Sequence, residues 1–240
     1  MTRPTSVLRE ELITRLMTEL GDEILATEIV GLIDDRVVGA LGDLGDIATT
    51  PALSYRAPVL DDEAVDTLWI LAFGYRLASS AGTEALADAG IPPMHDLLPG
   101  PTNEELARVA ADFVARMPVP IIAQWEVARV LETLGVPRVI SVEPDQADDG
   151  SVNYLSTAGV LAKGGRLAAE AGIVIGKAGV LGQADHASRC VITAKAEGLD
   201  AAIPAGVRLP SGYDPESGQP WTRSRAVYLS VDLMARTVLG

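Results

Sequence analysis

A group of ionisable residues follows the apolar segment 172–181 and opens an Ala-rich segment that stops at Gly198. We predict that Asp185 is the N-cap of a helix, which places His186 and Arg189 in its first turn, three residues apart on one face. Where a strand leads into a helix, α/β proteins bind anions, because unpaired N–H groups and the helix dipole point there. These residue types indicate binding of a small anion and proton transfer by an imidazole.

Polar residues follow the other predicted strands as well, at the end of a parallel sheet where ligands bind. His186 and Glu126 are the candidate catalytic acid–base pair. A helix N-terminus disfavours the charged imidazole, so we expect His186 to be neutral. Single residues of this kind often serve as helix caps or surface charges, and their recurrence at successive strand ends is what favours a site. The candidate ligand-binding residues are Gly74, Tyr75, Arg76, Trp125, Ser151, Asn153, Asp185 and Arg189.

The sequence excludes several common classes of site. It has no GxGxxG, GxxxxGK(S/T), GxSxG or HExxH motif, which removes the usual dinucleotide, P-loop, α/β-hydrolase and zincin interpretations. The single cysteine, Cys190, excludes an intramolecular disulfide and a cysteine-cluster metal site, and we expect it to pack in the core. No metal site is predicted, because the acidic segment 145–149 is more typical of a solvated loop than of a cation site.

The composition indicates an acidic protein with enough apolar residues for a large core. With 240 residues, of which 48% are hydrophobic, the chain has the length of one main α/β domain with a further helical part. Its 33 acidic and 19 basic residues give a net charge of −14, which argues against nucleic acid as a partner. Acidic residues stand where a signal peptide would be apolar, and no apolar span of ~18 residues occurs, so we expect a cytoplasmic protein without a membrane partner.

The pattern of apolar residues divides the chain into two parts. Residues 1–58 have apolar residues at helical spacing and are predicted to be an N-terminal helical extension, either a cap on the main domain or a lid or dimerisation element. Residues 59–240 alternate strands and helices, which predicts a Rossmann-like α/β fold: a parallel sheet with helices on both faces and right-handed crossovers. The predicted strands lie in residues 65–73, 119–123, 138–143, 172–181 and 201–204.

Capping residues predict where two further helices begin. Thr102 and Glu105 have the spacing of a capping box at the start of one helix. Thr222 is predicted to cap the last helix of the chain. The core-facing residues of that helix are expected to be Val227, Val231, Met234 and Val238.

Six segments of the chain carry a further pattern. It consists of an apolar strand ending in glycine, a helix with an arginine, a strand followed by a Glu-bearing helix, a Leu-Gly-Val turn, a Ser-x-Asn turn and His-x-x-Arg. In this chain the segments are 68–74, 106–108, 121–126, 134–137, 151–154 and 186–189. In this order they resemble the ElyC/SanA/YdcF family, the domain of unknown function 218, over about residues 65–240. The resemblance implies a Rossmann-like sheet, and it implies S-adenosylmethionine binding or a role in cell-envelope sugar metabolism, which are associated with some members.

The chain departs from the family pattern at the floor of the predicted crevice. Its first loop is reduced to Phe73-Gly74-Tyr75, Gln124-Trp125 replaces a pair of glycines, and Tyr154 stands where threonine is usual. Bulkier residues there are expected to alter or narrow the choice of ligand. Envelope members usually carry a membrane anchor, whereas this chain has its N-terminal helices in that place, which disfavours an envelope role.

These observations support two functional hypotheses. The first is a cytoplasmic enzyme that acts on a small anionic metabolite, whether phosphorylated, nucleotide-like or a carboxylate. In that case Arg189, Arg76 and the helix N-terminus hold the anion while His186 and Glu126 exchange protons with it. The alternative is a non-catalytic nucleotide or S-adenosylmethionine binding module, whose N-terminal helices recruit a partner or form a homodimer. A purely structural subunit would leave the ionisable residues at the strand ends unexplained.

Overall fold

A computed structural model describes residues 3–78, 94–146 and 152–239 of the chain. Its strands are, in chain order, β1 (Val59–Leu60), β2 (Thr67–Ile70), β3 (Arg76–Leu77), β4 (Leu97–Leu98), β5 (Ile121–Gln124), β6 (Val139–Val142), β7 (Asp145–Gln146), β8 (Val152–Asn153), β9 (Lys177–Leu181) and β10 (Asp200–Pro204). Its helices are α1 (Thr5–Leu20), α2 (Glu23–Leu32), α3 (Asp35–Asp43), α4 (Pro101–Arg116), α5 (Trp125–Thr133), α6 (Thr157–Glu170), α7 (Ala184–Ala196) and α8 (Arg225–Leu239).

Six of the strands form one parallel sheet, in the order β1-β10-β9-β2-β5-β6. The pairs β3–β4 and β7–β8 are antiparallel and lie outside this sheet. The α/β fold with a parallel sheet that the sequence predicts is therefore confirmed.

The central strand β2 shows why both faces of the sheet are covered by helices. Successive side chains of a strand point to opposite faces. Leu68 and Ile70 pack with Phe113 of α4 on one face, while Trp69 packs with Cys190 of α7 on the other. Helix α5 contributes to the first of these cores and α6 to the second. A near-continuous apolar strand is what a parallel sheet between two helical layers requires, and Cys190 is buried in the core as expected.

The N-terminal helices α1–α3 share a hydrophobic core with the last helix, α8. Leu12 of α1 and Ile29 of α2 lie in one buried cluster with Leu229 and Leu233 of α8. Phe73, in the loop after β2, belongs to the same cluster, so the helical N-terminal part reaches the carboxyl end of the sheet. None of the helices in the described ranges combines the length and the hydropathy that a membrane crossing requires.

The capping box predicted at Thr102 is wrong. Helix α4 begins at Pro101 after Gly100, and no side chain caps it. The Thr102 hydroxyl instead donates to the carbonyl oxygen of Gly212 at 3.4 Å. Proline is well suited to the first helical position because its missing N–H would have no partner there, so the sequence signal for the start of the helix was Pro101.

The N-cap predicted for α7 is also wrong, by two residues. Gln183 is the N-cap, and its Oε1 accepts from the backbone N–H groups of Asp185 at 2.8 Å and His186 at 3.2 Å. Asp185 lies inside the helix, where its carboxylate has other partners. His186 is in the first turn, as predicted, whereas Arg189 is in the second turn because the helix begins at Ala184.

The predicted start and core face of α8 differ from the structure. The helix begins at Arg225, after a 3-10 turn that contains Thr222, and Val227 and Met234 are 38% and 42% exposed. The side chain of Val238 lies outside the described part of the chain. Charged side chains take the core positions because they pair with one another there. The buried residues of α8 are Ala226, Tyr228, Leu229, Ser230, Asp232, Leu233 and Arg236.

Candidate functional site

The strand order reverses between β2 and β9, so the loops after these neighbouring strands run to opposite sides and leave a crevice between them. A cavity of about 440 Å³ lies at this point, within the range of ~300–1,000 Å³ that small-molecule sites occupy. A hollow of about 690 Å³ beside Pro120, Arg138 and Val174 lies at the amino ends of the strands. Since ligands of open α/β sheets bind at the carboxyl ends, the 440 Å³ cavity is the candidate site.

Four of the residues predicted from the sequence line this cavity. Gly74 and Tyr75 come from the loop after β2, and His186 and Arg189 come from α7. Gly74 has a φ of +72°, and a Cβ there would lie 2.6 Å from two hydroxyl oxygens. Glycine is therefore required at this position for both its conformation and its size.

Arg76 and Asp185, both predicted to bind the ligand, instead form ion pairs with other residues and do not line the cavity. Arg76 donates to the Asp214 carboxylate through Nε at 2.8 Å and Nη2 at 2.9 Å. Asp185 accepts two hydrogen bonds of 2.8 Å from Arg225, and a third, of 2.7 Å, from the Tyr213 hydroxyl. Each charge is thus already balanced by its partner. The Arg76–Asp214 pair stabilises the loop 206–220, and the Asp185–Arg225 pair stabilises the start of α8.

The remaining predicted residues do not line the cavity or cannot be placed. Asn153 is exposed in β8, which pairs with β7. Trp125 and Glu126 are fully buried, and neither belongs to the cavity wall. Ser151 lies outside the described residues.

His186 is held at the cavity by Tyr228 of α8. Its Nδ1 lies 2.7 Å from Tyr228 Oη, and its ring centroid is 6.0 Å from that of Phe73. Burial lowers the pKa of His186 well below its usual value, and the nearby Arg189 and Arg236 lower it further. The imidazole is therefore neutral near pH 7, as expected, although burial is the main cause.

One carboxylate holds two arginines beside the His186–Tyr228 pair. Asp232 accepts hydrogen bonds from Arg189 Nε and from Arg236 Nε, the second at 2.6 Å. Arg189 Nη2 also donates to Tyr228 Oη at 3.2 Å. Asp232 and Arg236 are 1% and 0% exposed. Two guanidinium groups and one carboxylate leave one positive charge in excess next to the cavity.

Glu126 is a buried carboxyl group that two residues of the cavity wall contact. Tyr154 Oη donates to its Oε1, and Gln124 Nε2 lies 3.4 Å from the same oxygen. Gln124 is fixed in turn, since its Oε1 accepts from the Ala72 N–H at 3.1 Å. Burial raises the pKa of Glu126 to about 8, so this carboxyl is mostly protonated at neutral pH. Its Oε2 has no hydrogen-bond partner among the described residues.

Three helices begin at the cavity. Gln124 precedes α5, Ser156 is the N-cap of α6, and His186 lies in the first turn of α7, and all three line the wall. The Ser156 hydroxyl accepts from the Gly159 N–H at 3.1 Å. Helix N-termini carry partial positive charge, so together with Arg189 they make the cavity favourable for an anion.

Much of the cavity wall was not among the predicted site residues. One sequence feature could have indicated part of it: Tyr228, Asp232 and Arg236 recur every four residues, which places them on one face of α8. No comparable feature marks Trp221, which follows a turn-rich loop. Phe73, Gln124 and Tyr154, which the sequence places at the floor of the predicted crevice, do line the cavity. The lining residues that the sequence analysis did not name are Ala72, Leu155, Ser156, Thr157, Gln219, Trp221, Thr222 and Tyr228.

The described residues contain no cluster of three or more His, Cys, Asp or Glu side chains arranged to hold a metal ion. Comparisons with protein-family models, with curated proteins and with solved structures find no match for the chain. The interpretation of the site therefore depends on its own geometry and charge.

Proposed function

We propose that the chain is an enzyme that binds a small anionic metabolite in the crevice between β2 and β9. Arg189 and the N-termini of α6 and α7 hold the anion, and His186 transfers a proton to or from it. The observation that carries the proposal is the excess positive charge beside a cavity that has no acidic wall residue among those described.

The electrostatics of the cavity differ from those of the chain as a whole. The chain has a net charge of −14, yet Asp and Glu are missing from the described part of the cavity wall. Next to the wall, Arg189 and Arg236 share the single carboxylate of Asp232. Excess charge in a buried environment is unfavourable unless an opposite charge balances it. An anionic ligand beside Arg189 supplies that charge.

The hydrogen bonds around His186 suit a proton acceptor. In the tautomer whose Nδ1–H donates to Tyr228 Oη, the tyrosine hydroxyl donates to Asp232 Oδ1, which lies 3.4 Å away. The Nε2 lone pair then remains for the ligand. Because burial keeps the ring neutral, His186 is in the form that accepts a proton near pH 7. Tyr228 is a positioning residue that fixes the ring.

Glu126 enters the proposal in a different role from the one predicted. It does not line the cavity, so it does not exchange protons with the ligand directly. Its hydrogen bonds with Tyr154 and Gln124 position two residues of the wall. Membership of the ElyC/SanA/YdcF family, S-adenosylmethionine as a ligand, a cytoplasmic location and a homodimer all stay predictions.

A thermal-shift screen tests the proposal. Wild type is compared with Arg189→Met in the presence of orthophosphate, pyrophosphate, phosphosugars, nucleotides, S-adenosylmethionine and simple carboxylates, each with and without magnesium. In the variant, Asp232 keeps its pair with Arg236. An anion at ~100 times its dissociation constant adds about 2.7 kcal/mol of stability to wild type, and we expect this gain to be much smaller in Arg189→Met. Arg108→Met, at an exposed arginine of α4, is the matched control.

Two outcomes of the screen would contradict the proposal. One is that no anion in the set stabilises the folded protein. The other is that an anion stabilises wild type, Arg189→Met and Arg108→Met equally, which would place its binding site away from Arg189.

A non-catalytic binding module is the second candidate. The observation that favours it is that only one of the two predicted acid–base residues, His186, lines the cavity. Once a ligand is identified, His186→Ala separates the two functions. Loss of turnover with affinity kept within ~10-fold assigns chemistry to His186, whereas loss of binding makes it a ligand contact. His95→Ala, at the other, exposed histidine, is the control.

A further inference from the structure

Trp221 differs from the other two tryptophans of the chain in being open to solvent. Trp69 and Trp125 are each 1% exposed, whereas Trp221 is 42% exposed. It lines the cavity together with His186 and Arg189. A large aromatic ring at the wall of a cavity, without full packing around it, is available for contact with a ligand.

Hydrogen bonds fix the backbone that presents Trp221. The ring belongs to the 3-10 turn Pro220–Thr222. The Thr222 hydroxyl lies 2.7 Å from Ser217 Oγ, and Arg223 Nε donates to the Ser217 carbonyl oxygen at 2.7 Å. The Gly218 N–H donates to the Tyr75 carbonyl oxygen, also at 2.7 Å, which ties the segment to the loop after β2. The turn that carries the ring is therefore anchored to the loop after β2.

The cavity is larger than a simple anion, so its volume favours a ligand with a further group besides the anionic one. Its volume of about 440 Å³ is many times the ~30 Å³ that one water molecule occupies in the liquid, so a bare phosphate or carboxylate would leave most of it unfilled. Tyr75 and Tyr154 also line it, with ring centroids 5.5 Å apart. Besides the cationic residue Arg189, the cavity thus offers several aromatic rings.

We infer that the ligand is an anion that carries a planar aromatic ring, such as a nucleoside phosphate, with its ring stacked on Trp221 and its charged group at Arg189. This inference rests on the proposed function, because it concerns the same cavity and the same arginine. Aromatic side chains stack with any of the common bases, since every base has a π-face, and losing such a contact typically lowers affinity by ~10-fold or more.

The matched ligands for the test are nucleoside 5′-monophosphates and ribose 5-phosphate, which has a hydroxyl group at C1′ in place of the base. Isothermal titration calorimetry measures the affinity of wild type for ribose 5-phosphate and for the monophosphates of adenosine, guanosine, cytidine and uridine. We expect at least one nucleotide to bind ~10-fold more tightly than ribose 5-phosphate. Trp221→Ala should remove this difference and leave ribose 5-phosphate binding within ~2-fold, while Trp221→Phe keeps most of it. Met234→Ala, at an exposed apolar residue of α8, is the control and should behave as wild type.

Fluorescence gives a second, direct measurement. Acrylamide quenches exposed tryptophans, so in this chain its effect reports mainly on Trp221. We expect the preferred nucleotide to protect Trp221 from acrylamide and ribose 5-phosphate to leave it accessible. Circular dichroism of each variant confirms that the fold is kept.

The outcomes distinguish the inference from the proposed function. If ribose 5-phosphate binds as tightly as every nucleotide, or if Trp221→Ala leaves the nucleotide preference in place, the ring contact is absent. The inference then fails while anion binding stands. If neither ribose 5-phosphate nor any of the nucleotides binds, the inference fails. The proposed function fails with it only if no anion of the thermal-shift screen stabilises the folded protein either.

Discussion

Glu126 is a buried carboxyl group whose surroundings favour its neutral form. Burial raises its pKa from 4.5 to about 8. Between these values the unfolded chain releases the proton while the folded chain keeps it, so a rise in pH favours the unfolded state. The stabilisation associated with neutral Glu126 is therefore complete below about pH 4.5 and is lost as the pH rises to about 8.

We expect Glu126→Gln to remove this pH dependence, because an amide does not ionise. Between about pH 5 and about pH 8 the free energy of unfolding of wild type should fall, relative to that of the variant, by up to ~1.4 kcal/mol per pH unit. Urea unfolding of both proteins across this range measures the difference. Glu132→Gln, at an exposed position of the same helix, is the control and should run parallel to wild type. Parallel curves for wild type and Glu126→Gln would contradict a neutral, buried Glu126.

A residue that follows a parallel strand has a predictable position in the sheet, but the direction of its side chain is not predictable from the sequence. A position just after a parallel strand fixes which edge of the sheet a residue lies at, and this was enough to find Gly74, Tyr75 and His186. Whether a side chain then turns to the cavity or to the core depends on how the following helix packs. Glu126 and Trp125 turn to the core for this reason, and nothing in their spacing indicates it.

At the scale of elements, α8 connects the cavity to the N-terminal part of the chain. Arg236 donates through Nη1 to the carbonyl oxygens of Ala52 at 2.7 Å and Ser54 at 3.0 Å, and through Nη2 to Ser188 Oγ at 2.7 Å. Its Nε pairs with Asp232, which also holds Arg189. One face of α8 thus fixes the segment 51–54, helix α7 and a cavity arginine together.

Asp232→Asn should destabilise the protein strongly, because it leaves two arginines near the core without a counter-charge. Breaking a buried ion pair by removing one partner typically costs ~3–5 kcal/mol. Urea unfolding measures the change. The control is Glu104→Gln, which removes the partner of Arg108 from an exposed i,i+4 pair and should cost at most ~0.5 kcal/mol. Equal losses in the two variants would show that the Asp232 cluster contributes no more than a surface pair.

The sequence predicts the central strands of the sheet, but it does not predict the edge strand β1 or the core face of α8. Strands β2, β5 and β9 are recognisable because a strand buried on both faces is a short apolar run. The edge strand β1 has only two residues and follows Pro58, so it has no such pattern. The core face of α8 was misplaced because its interior positions include Asp232 and Arg236, and an apolar-face rule excludes charged residues.

At the scale of the whole molecule, the shared core of α1, α2 and α8 joins the N-terminal helices to the loop after β2. Leu12 and Ile29 contact the same cluster as Leu229 and Phe73. A cap that folded by itself would need a core of its own, whereas this cluster depends on residues from both ends of the chain. We therefore expect the N-terminal helices and the sheet to unfold together.

Leu12→Ala tests this coupling, because Leu12 is 0% exposed and its truncation should cost ~2–5 kcal/mol. Unfolding is followed in a Trp221→Phe background, so that fluorescence comes only from Trp69 and Trp125, which are buried in the α/β part. Far-UV circular dichroism follows the helices in the same samples. If the chain is one cooperative unit, Leu12→Ala moves both transitions to lower urea by the same amount.

The control for this experiment is Val7→Ala, in the same helix but at a position that is 40% exposed, which should change stability by no more than ~0.5 kcal/mol. A shift in circular dichroism with an unchanged fluorescence transition would mean that residues 1–58 unfold independently, as a detachable lid would. Coincident shifts would instead make the N-terminal helices part of the structure that holds α8, and hence Tyr228 and Asp232, in place beside His186. The cavity would then be expected to require the N-terminal helices for its formation.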